Sequence, residues 1–560
     1  MACEEAPYSE DYYDLLVSYI DLSREPYVDG CIQNIDKDFD ILYLPAQGLP
    51  KLDIATYTYS AIPKCYTLLD TQALESAGIL RVQNQPTLSL KGQGVLIGFI
   101  DTGIDYTNRV FRNSDGSTRI LKIWDQSIPG KPPEGFLYGT EYDKTILDMA
   151  LISEDPYRLV PHRDENGHGT FLAGVAAGSE AAEESFIGAA PYAQIVVVKL
   201  KQAKQYLKNF YFIPESAEAY AENDIMAGVS YLTHMAEALG RPLVICLGLG
   251  SNSGDHRGNG MLSMYLDYVA TKRNQAIVVA AGNEANARHH YFGEITSVNS
   301  TERVEVNVGN NVRGFTLEMW ARAPELYSVS IISPTGEKTP AAFGKRGRRE
   351  IYRFVFEGTE VSIDYRIVGV TTGDQLIYMR FDRPTAGIWN LEVTADYSIE
   401  GQYNMWLPIT GLLDGEVNFI RSNPDNTITA PGNAPAPMTA GGYNTENNSI
   451  YLDSSRGYTS DGLVKPDFAA PAVNVFGPGR RNLFERRTGT SVAAAMTAGA
   501  AALYLEWGVE RGNNTGLSNA EIKNDFIRGA GRQSGRAYPN REWGFGTLNL
   551  YQMFEQLRRT

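Results

Sequence analysis

Four short apolar runs restrict what this chain can fold into more than anything else in it. Gly94–Ile100, Ile195–Leu200, Leu243–Cys246 and Gln275–Ala281 are too short for stable helices and too continuously apolar for strands with one face in water. Runs of this kind belong to a sheet covered on both faces. Asp224–Leu239 and Met261–Lys272 place apolar residues at helical spacing, and each precedes one of the runs, which is the alternation of a doubly wound parallel sheet. The sequence therefore predicts an α/β core. In such sheets ligand sites form outside the carboxyl ends of the strands, so the residues that follow each run are where chemistry is to be sought.

Gly94–Ile100 runs into Asp101-Thr102-Gly103, which sets an acid at a strand end. On its own that aspartate reads equally well as a turn or capping residue. His168 lies in Asn166-Gly167-His168-Gly169-Thr170, ahead of a stretch to Gly178 that reads as a helix with the histidine in its first turn. Small neighbours let backbone and ligand approach the imidazole, although a lone histidine is more often structural. Asn283 follows the run Gln275–Ala281 after one glycine. Its amide can donate to an oxyanion without competing for protons, while Gly-Asn after a strand is also an ordinary turn. Further on, Thr488-Gly489-Thr490-Ser491 opens an alanine-rich helical stretch. Alone it is an N-cap; as a nucleophile, Ser491 has the unpaired N–H groups and partial positive charge of a helix start beside its oxyanion. A hydroxyl at neutral pH needs both a base and an oxyanion pocket, and these four segments together supply them.

In chain order, acid then histidine then amide then serine, the segments resemble the subtilisin-like serine protease family. Gly188-Ala189-Ala190-Pro191 and Lys465-Pro466-Asp467-Phe468-Ala469-Ala470-Pro471 match the same family, and the likeness covers roughly residues 60 to 295 and 425 to 555. The resemblance implies that Asp101 orients and supports His168. It implies that His168 acts as general base toward Ser491 and then as acid toward the leaving amine, with Asn283 and the Ser491 N–H forming the oxyanion hole. It also implies that Leu247, Gly248, Leu249 and Gly250 line the substrate cleft, where an extended polypeptide gains affinity through main-chain hydrogen bonds. The bland alternative for those four residues is a tight loop closing the sheet. Phe171, where many members carry a second histidine, and Ala472, where glycine is frequent, depart from the pattern without touching a proton or the oxyanion.

Between about 297 and 420 the texture changes. Val304–Val308, Phe315–Trp320, Ser328–Ile332, Ile351–Phe356 and Trp389–Val393 alternate apolar and polar residues between Gly, Pro and Asn turns. That pattern predicts an inserted antiparallel β-sandwich of jelly-roll type. Ahead of the core, Asp11–Ile20 reads as a short helix, and Ile32–Ile35 and Asp40–Pro45 as strands, together a small α+β unit. The expected organisation is an N-terminal unit over residues 1–60, a core over 61–296 and 421–560, and the sandwich over 297–420. A unit in that first position resembles the family's prosegment, which lays its C-terminal end in the cleft, with a junction around Thr56–Ser60. The whole layout resembles the clostridial Csp group, whose members process the precursor of a spore-cortex hydrolase. Two functional readings follow: a serine endopeptidase that cuts its own N-terminal segment, or a catalytically silent relative serving as a binding or signalling module. Asp101, His168 and Ser491 occurring together favours the first.

At 560 residues the chain exceeds what one core supports, since single cores stop growing near about 250–300 residues. Its formal charge of −16 gives no basic face for nucleic acid, and no run of eighteen apolar residues is present to cross a membrane. Met1–Pro7 has neither a basic region nor an apolar one, so no signal peptide is visible; the expected locations are the cytoplasm, a spore compartment, or outside the cell by a non-classical route. Cys3, Cys31, Cys65 and Cys246 are widely spaced and suggest neither a zinc site nor a disulfide framework. No cofactor and no metal are called for. The expected partners are a polypeptide substrate and the chain's own N-terminal segment.

Overall fold

The apolar runs lie side by side. From edge to edge the main sheet runs Ser449–Ile450, Met438–Asn444, Gln275–Ala280, Leu243–Leu247, Leu96–Asp101, Gln194–Lys199, Ile120–Asp125 and Thr140–Asp143, with Phe468–Pro471 pairing Met438–Asn444 off that path. Every pairing from Met438–Asn444 across to Ile120–Asp125 is parallel, and the two outermost strands are antiparallel. The computed structural model describes residues 3–18, 30–68, 76–340, 349–368 and 373–558.

Both faces of the sheet are covered, as continuous apolar runs require. Along Leu96–Asp101, Ile97 and Phe99 pack into the layer that holds the helices His168–Ala177 and Thr490–Leu505. Leu96 and Ile100 pack into the opposite layer, with the helices Glu222–Leu239 and Met261–Val269. The helix beginning at Thr490 continues as a 21-residue helical stretch to Glu510 that is long and apolar enough to cross a membrane, and most of it is buried in this core. Composition alone did not single it out, because its apolarity rests on alanine.

Between Asn283 and Ser491 two antiparallel sheets face each other. One orders His290–Glu294, Gln402–Trp406, Gly314–Ala321, Asp374–Asp382, Thr359–Val368 and Arg349–Phe354; the other orders Leu326–Ile332, Gly387–Tyr397, Thr301–Val308 and Val417–Phe419. Period-two sequence becomes period-two burial: in Gly387–Tyr397, Trp389, Leu391, Val393 and Ala395 point inward and the residues between them do not. These residues share one apolar core with Val306, Leu317 and Met379.

At the N-terminus the expected helix over Asp11–Ile20 is overturned. Tyr12–Ser18 is a strand, paired antiparallel with Phe39–Pro45, which in turn pairs with Cys31–Asp36. Tertiary partners override the local pattern: Asp14, buried, takes Lys204 Nζ at 2.6 Å, and its backbone N–H donates to Tyr206 Oη at 2.7 Å, nearly two hundred residues away. Residues 19–29 lie outside the described part. Cys3 and Cys31 form a disulfide, which their spacing did not announce, while Cys65 and Cys246 are free and buried. Glu318 ties three regions together: it accepts from Tyr59 Oη at 2.7 Å, Trp320 Nε1 at 2.9 Å and the Gly254 N–H at 3.0 Å. Burial pushes its carboxyl above the usual range despite those bonds.

Candidate active site

Leu96–Asp101 is buried from end to end, and its last residue reaches the carboxyl edge of the sheet. There the Asp101 carboxylate accepts from the Thr102 N–H at 2.8 Å and faces His168 Nδ1 at 2.8 and 3.0 Å through its two oxygens. The histidine opens the helix His168–Ala177. Gly169 permits that approach, because a Cβ there would stand 2.2 Å from Gly103 O and 3.2 Å from Asp101 Cβ. On the other side of the ring, His168 Nε2 is 3.1 Å from Ser491 Oγ. With Nδ1–H given to the carboxylate, Nε2 holds the lone pair that can take the serine's proton. Ser491 is the second residue of its helix, so the helix start lies beside any charge that develops at its oxygen.

Asn283 also reaches this edge, just beyond Gln275–Ala280. Its Oδ1 lies 3.1 Å from both the backbone N and the Oγ1 of Thr490, the residue before the serine. Asp101, His168, Ser491 and Asn283 thus meet, although 390 positions separate Asp101 from Ser491.

Sequence reasoning missed Asp164. This buried carboxylate accepts from the Gly167 N–H at 2.7 Å, the Thr170 N–H at 2.8 Å, the Thr170 hydroxyl at 2.6 Å and the Thr102 hydroxyl at 2.8 Å. It therefore clamps the loop after Asp101 to the start of the histidine's helix. Burial drives its pKa up, but the four donors outweigh that and hold the carboxyl below its usual range. Its position four residues before His168 was the available signal.

Leu247 ends a strand of the main sheet, opposite Val279, and belongs to the core. Gly248, Leu249 and Gly250 lie at the site. A Cβ on Gly248 would stand 3.1 Å from both Ser491 Cβ and His168 Cε1, so a side chain at 248 would fill the space beside those two residues. Beyond it, Leu249–Gly250 forms one wall of a three-stranded antiparallel sheet whose other wall is Tyr220–Ala221. The middle strand is Cys65–Leu68, in register Leu68 with Leu249, Thr67 with Gly250, Tyr66 with Tyr220 and Cys65 with Ala221. Ser491 has 0% of its surface exposed and His168 1%, so the chemical groups are shut off from water. Among the described residues no group of three or more His, Cys, Asp and Glu could hold a metal ion.

Comparison with known proteins gives a consistent picture. The model of the subtilase family (peptidase S8) matches residues 92–374 and 415–546. Among curated proteins, the C5a peptidase of Streptococcus pyogenes serotype M1 is 21% identical over 437 residues, covering 73% of this chain and 34% of that protein. The PII-type proteinase of Lactococcus lactis subsp. cremoris is 23% identical over 511 residues, covering 82% of this chain and 25% of its own length. The chain thus spans between a quarter and about a third of the length of these curated relatives. Among solved structures, the Clostridium perfringens CspB protease superposes with a TM-score of 0.77 at 30% identity, covering 87% of this chain and 99% of that one.

Proposed function

The chain belongs to the subtilase family of serine peptidases, and from that membership we propose that it is an endopeptidase whose catalytic groups are Asp101, His168 and Ser491. The observation that carries this reading is the unbroken line of hydrogen bonds from Asp101 through His168 to Ser491 Oγ. Ser491 Oγ attacks the carbonyl carbon of a peptide bond while His168 Nε2 takes its proton. Asp101 keeps the ring in the tautomer that can do so and steadies the imidazolium. The Ser491 N–H and the Asn283 amide receive the oxyanion. As the tetrahedral adduct collapses, His168 returns the proton to the leaving nitrogen; water then repeats the sequence on the acyl-serine. Gly248–Gly250 and Tyr220–Ala221 hold the chain being cut as an added strand.

The first such chain is the protein's own. Cys65–Leu68 already occupies the place of an added strand, and its register runs toward Ser491: the wall residue after Leu249 is Gly248, beside the nucleophile. This moves the expected cut from around Thr56–Ser60 to just past Leu68, within residues 69–75, which lie outside the described part. In trans, the likeness to the CspB protease supports a spore-cortex hydrolase precursor as a substrate to assay.

The test is labelling by a fluorophosphonate together with intact mass. Wild type should carry the adduct and appear as two pieces divided near residue 69, and Ser491→Ala should carry no label and stay whole. An unlabelled wild type, or equal labelling of Ser491→Ala, would leave a silent relative that uses the cleft only to hold its N-terminal segment.

A further inference from the structure

Asp101 has a counterpart two strands away. Leu96–Asp101 and Ile120–Asp125 flank Gln194–Lys199, and Asp101 and Asp125 both pair with Lys199, so two aspartates end parallel strands at one level of the carboxyl edge. Each faces a histidine. His162, six residues before His168, sets Nδ1 2.6 Å from Asp125 Oδ2, and neither side chain has any exposed surface. The other oxygen of Asp125 accepts from the Ser127 N–H at 2.9 Å and the Ser127 hydroxyl at 2.5 Å. The Ile104 N–H donates to His162 Nε2 at 3.2 Å. A ring nitrogen that accepts carries no proton, so this imidazole is neutral and its one proton sits on Nδ1, given to Asp125.

The N–H that His162 holds belongs to the loop that joins the reacting groups. Ile104 follows Asp101 by three residues and is fully buried. Its loop meets the start of the His168 helix at three points. The Gly169 N–H donates to the Thr102 hydroxyl at 3.0 Å, Gly103 O lies against Gly169, and the Asp105 N–H donates to the Thr170 hydroxyl at 2.8 Å. Residues 162–164 hold the same loop: a Cβ on Gly103 would stand 2.9 Å from His162 Cε1, and the Thr102 hydroxyl donates to Asp164 at 2.8 Å.

We propose that His162 is a positioning residue of the endopeptidase site, fixing residues 102–105 so that the Asp101 carboxylate and the helix start at His168 keep their mutual distance. This rests on the endopeptidase reading above and adds a residue to its machinery. Both ring nitrogens of His162 are spent on Asp125 and Ile104, so it acts only through the loop. A buried N–H that loses its acceptor must move to find another, and the movement passes to Asp101 along three residues and to Gly169 and Thr170 through the contacts above. A misplacement of about 1 Å costs up to about a hundredfold in rate. The distance between Asp101 and His168 matters in the transition state, so the loss falls in kcat.

The experiment compares full-length wild type with His162→Leu, His162→Asn and His162→Gln. The substrate is a fluorogenic peptide with the sequence of residues 62–78, serine replacing the cysteine, and kcat is expressed per site titrated with a fluorophosphonate. Glutamine sets its amide oxygen where Nε2 stands and keeps an acceptor for Ile104, whereas asparagine ends near Nδ1 and keeps only the bond to Asp125. His162→Leu and His162→Asn should lose about ten- to a hundredfold in kcat with KM within about twofold, and His162→Gln should recover most of that loss. Where His162→Leu fails to fold, His162→Asn against His162→Gln decides. An unchanged kcat per site in His162→Asn, a His162→Gln no better than His162→Asn, or a change confined to KM overturns the proposal and leaves His162 a residue of the core. If wild type takes the label but cuts no peptide, the same outcomes are read from rates of labelling. Wild type that neither takes the label nor cuts overturns the endopeptidase reading, and the role of His162 with it.

Discussion

The side-chain oxygen of Asn283 accepts from both the backbone N–H and the hydroxyl of Thr490, each at 3.1 Å. A backbone N–H can only donate, so the atom facing it must be the oxygen, and the orientation of the amide is fixed by chemistry. The Thr490 hydroxyl is fixed in turn, accepting from the Gly282 N–H at 3.1 Å. The amide nitrogen is thereby held as a donor at the start of the serine's helix. Asn283→Ala should lower kcat by about two to three powers of ten with KM little changed, a magnitude borrowed from the corresponding subtilisin substitution. Steady-state kinetics on one peptide checks it; a loss confined to KM would assign Asn283 to ground-state binding instead.

Asp101 is 1% exposed and accepts from both Thr102 and His168. Asp101→Asn keeps the shape but presents either a donor or a weaker acceptor to Nδ1, favouring the tautomer in which Nε2 carries the proton and cannot take one from Ser491. Turnover should fall by about four powers of ten while thermal unfolding stays close to wild type. A fall of less than about tenfold would mean that the aspartate only packs against the ring.

Asp164 makes a separate case, because it touches none of the reacting atoms. Removing its carboxylate in Asp164→Ala leaves the Gly167 and Thr170 N–H groups and two hydroxyls without their buried acceptor. The expected cost is about 3 kcal/mol of stability, together with a lower kcat as His168 loses its fixed distance from Asp101. Urea unfolding and kinetics measure the two effects. An unchanged midpoint with a large loss of kcat would point to a direct part in the chemistry.

The sequence was legible where chemistry and period agree. Leu96–Asp101 announced its strand because every residue is buried, and Asp101, His168, Asn283 and Ser491 stood out because a glycine lies within two positions of each. What stayed hidden depends on contacts far along the chain. Tyr12–Ser18 became a strand because Asp14 needed Lys204 and Tyr206, and no local pattern carries that information. Glu222 lies ahead of the helical pattern Asp224–Leu239, with nothing local to mark it; only the arrival of Lys64 and Tyr66 from 156 or more positions away ties it to the segment in the cleft. Asp164 was hidden for a different reason. Its partners are near in sequence, but an aspartate in a polar loop has too many ordinary explanations.

His256 joins the loop after the cleft wall to the β-sandwich, and it predicts how acid acts on the protein. Its ring stacks on Trp406 with centroids 4.0 Å apart, and Nε2 donates to Asn252 O at 3.0 Å. Burial outweighs the backbone partners at Asn252 and Ile428 and, with His290 nearby, pushes its pKa from 6.5 down to about 4. The sign follows from which state binds protons. Between about pH 6.5 and 4 the unfolded chain protonates this residue and the folded one resists, so the stability it contributes is complete above about 6.5 and is lost as the pH falls through about 4. On going from pH 7 to 4.5, wild type should lose about 2 to 3 kcal/mol more than His256→Gln, which keeps a donor for Asn252 and cannot titrate. Comparing both proteins by urea unfolding at the two pH values cancels the titration of every other group, His290 on the far face of Trp406 included. Equal losses would mean that the folded protein accommodates the imidazolium.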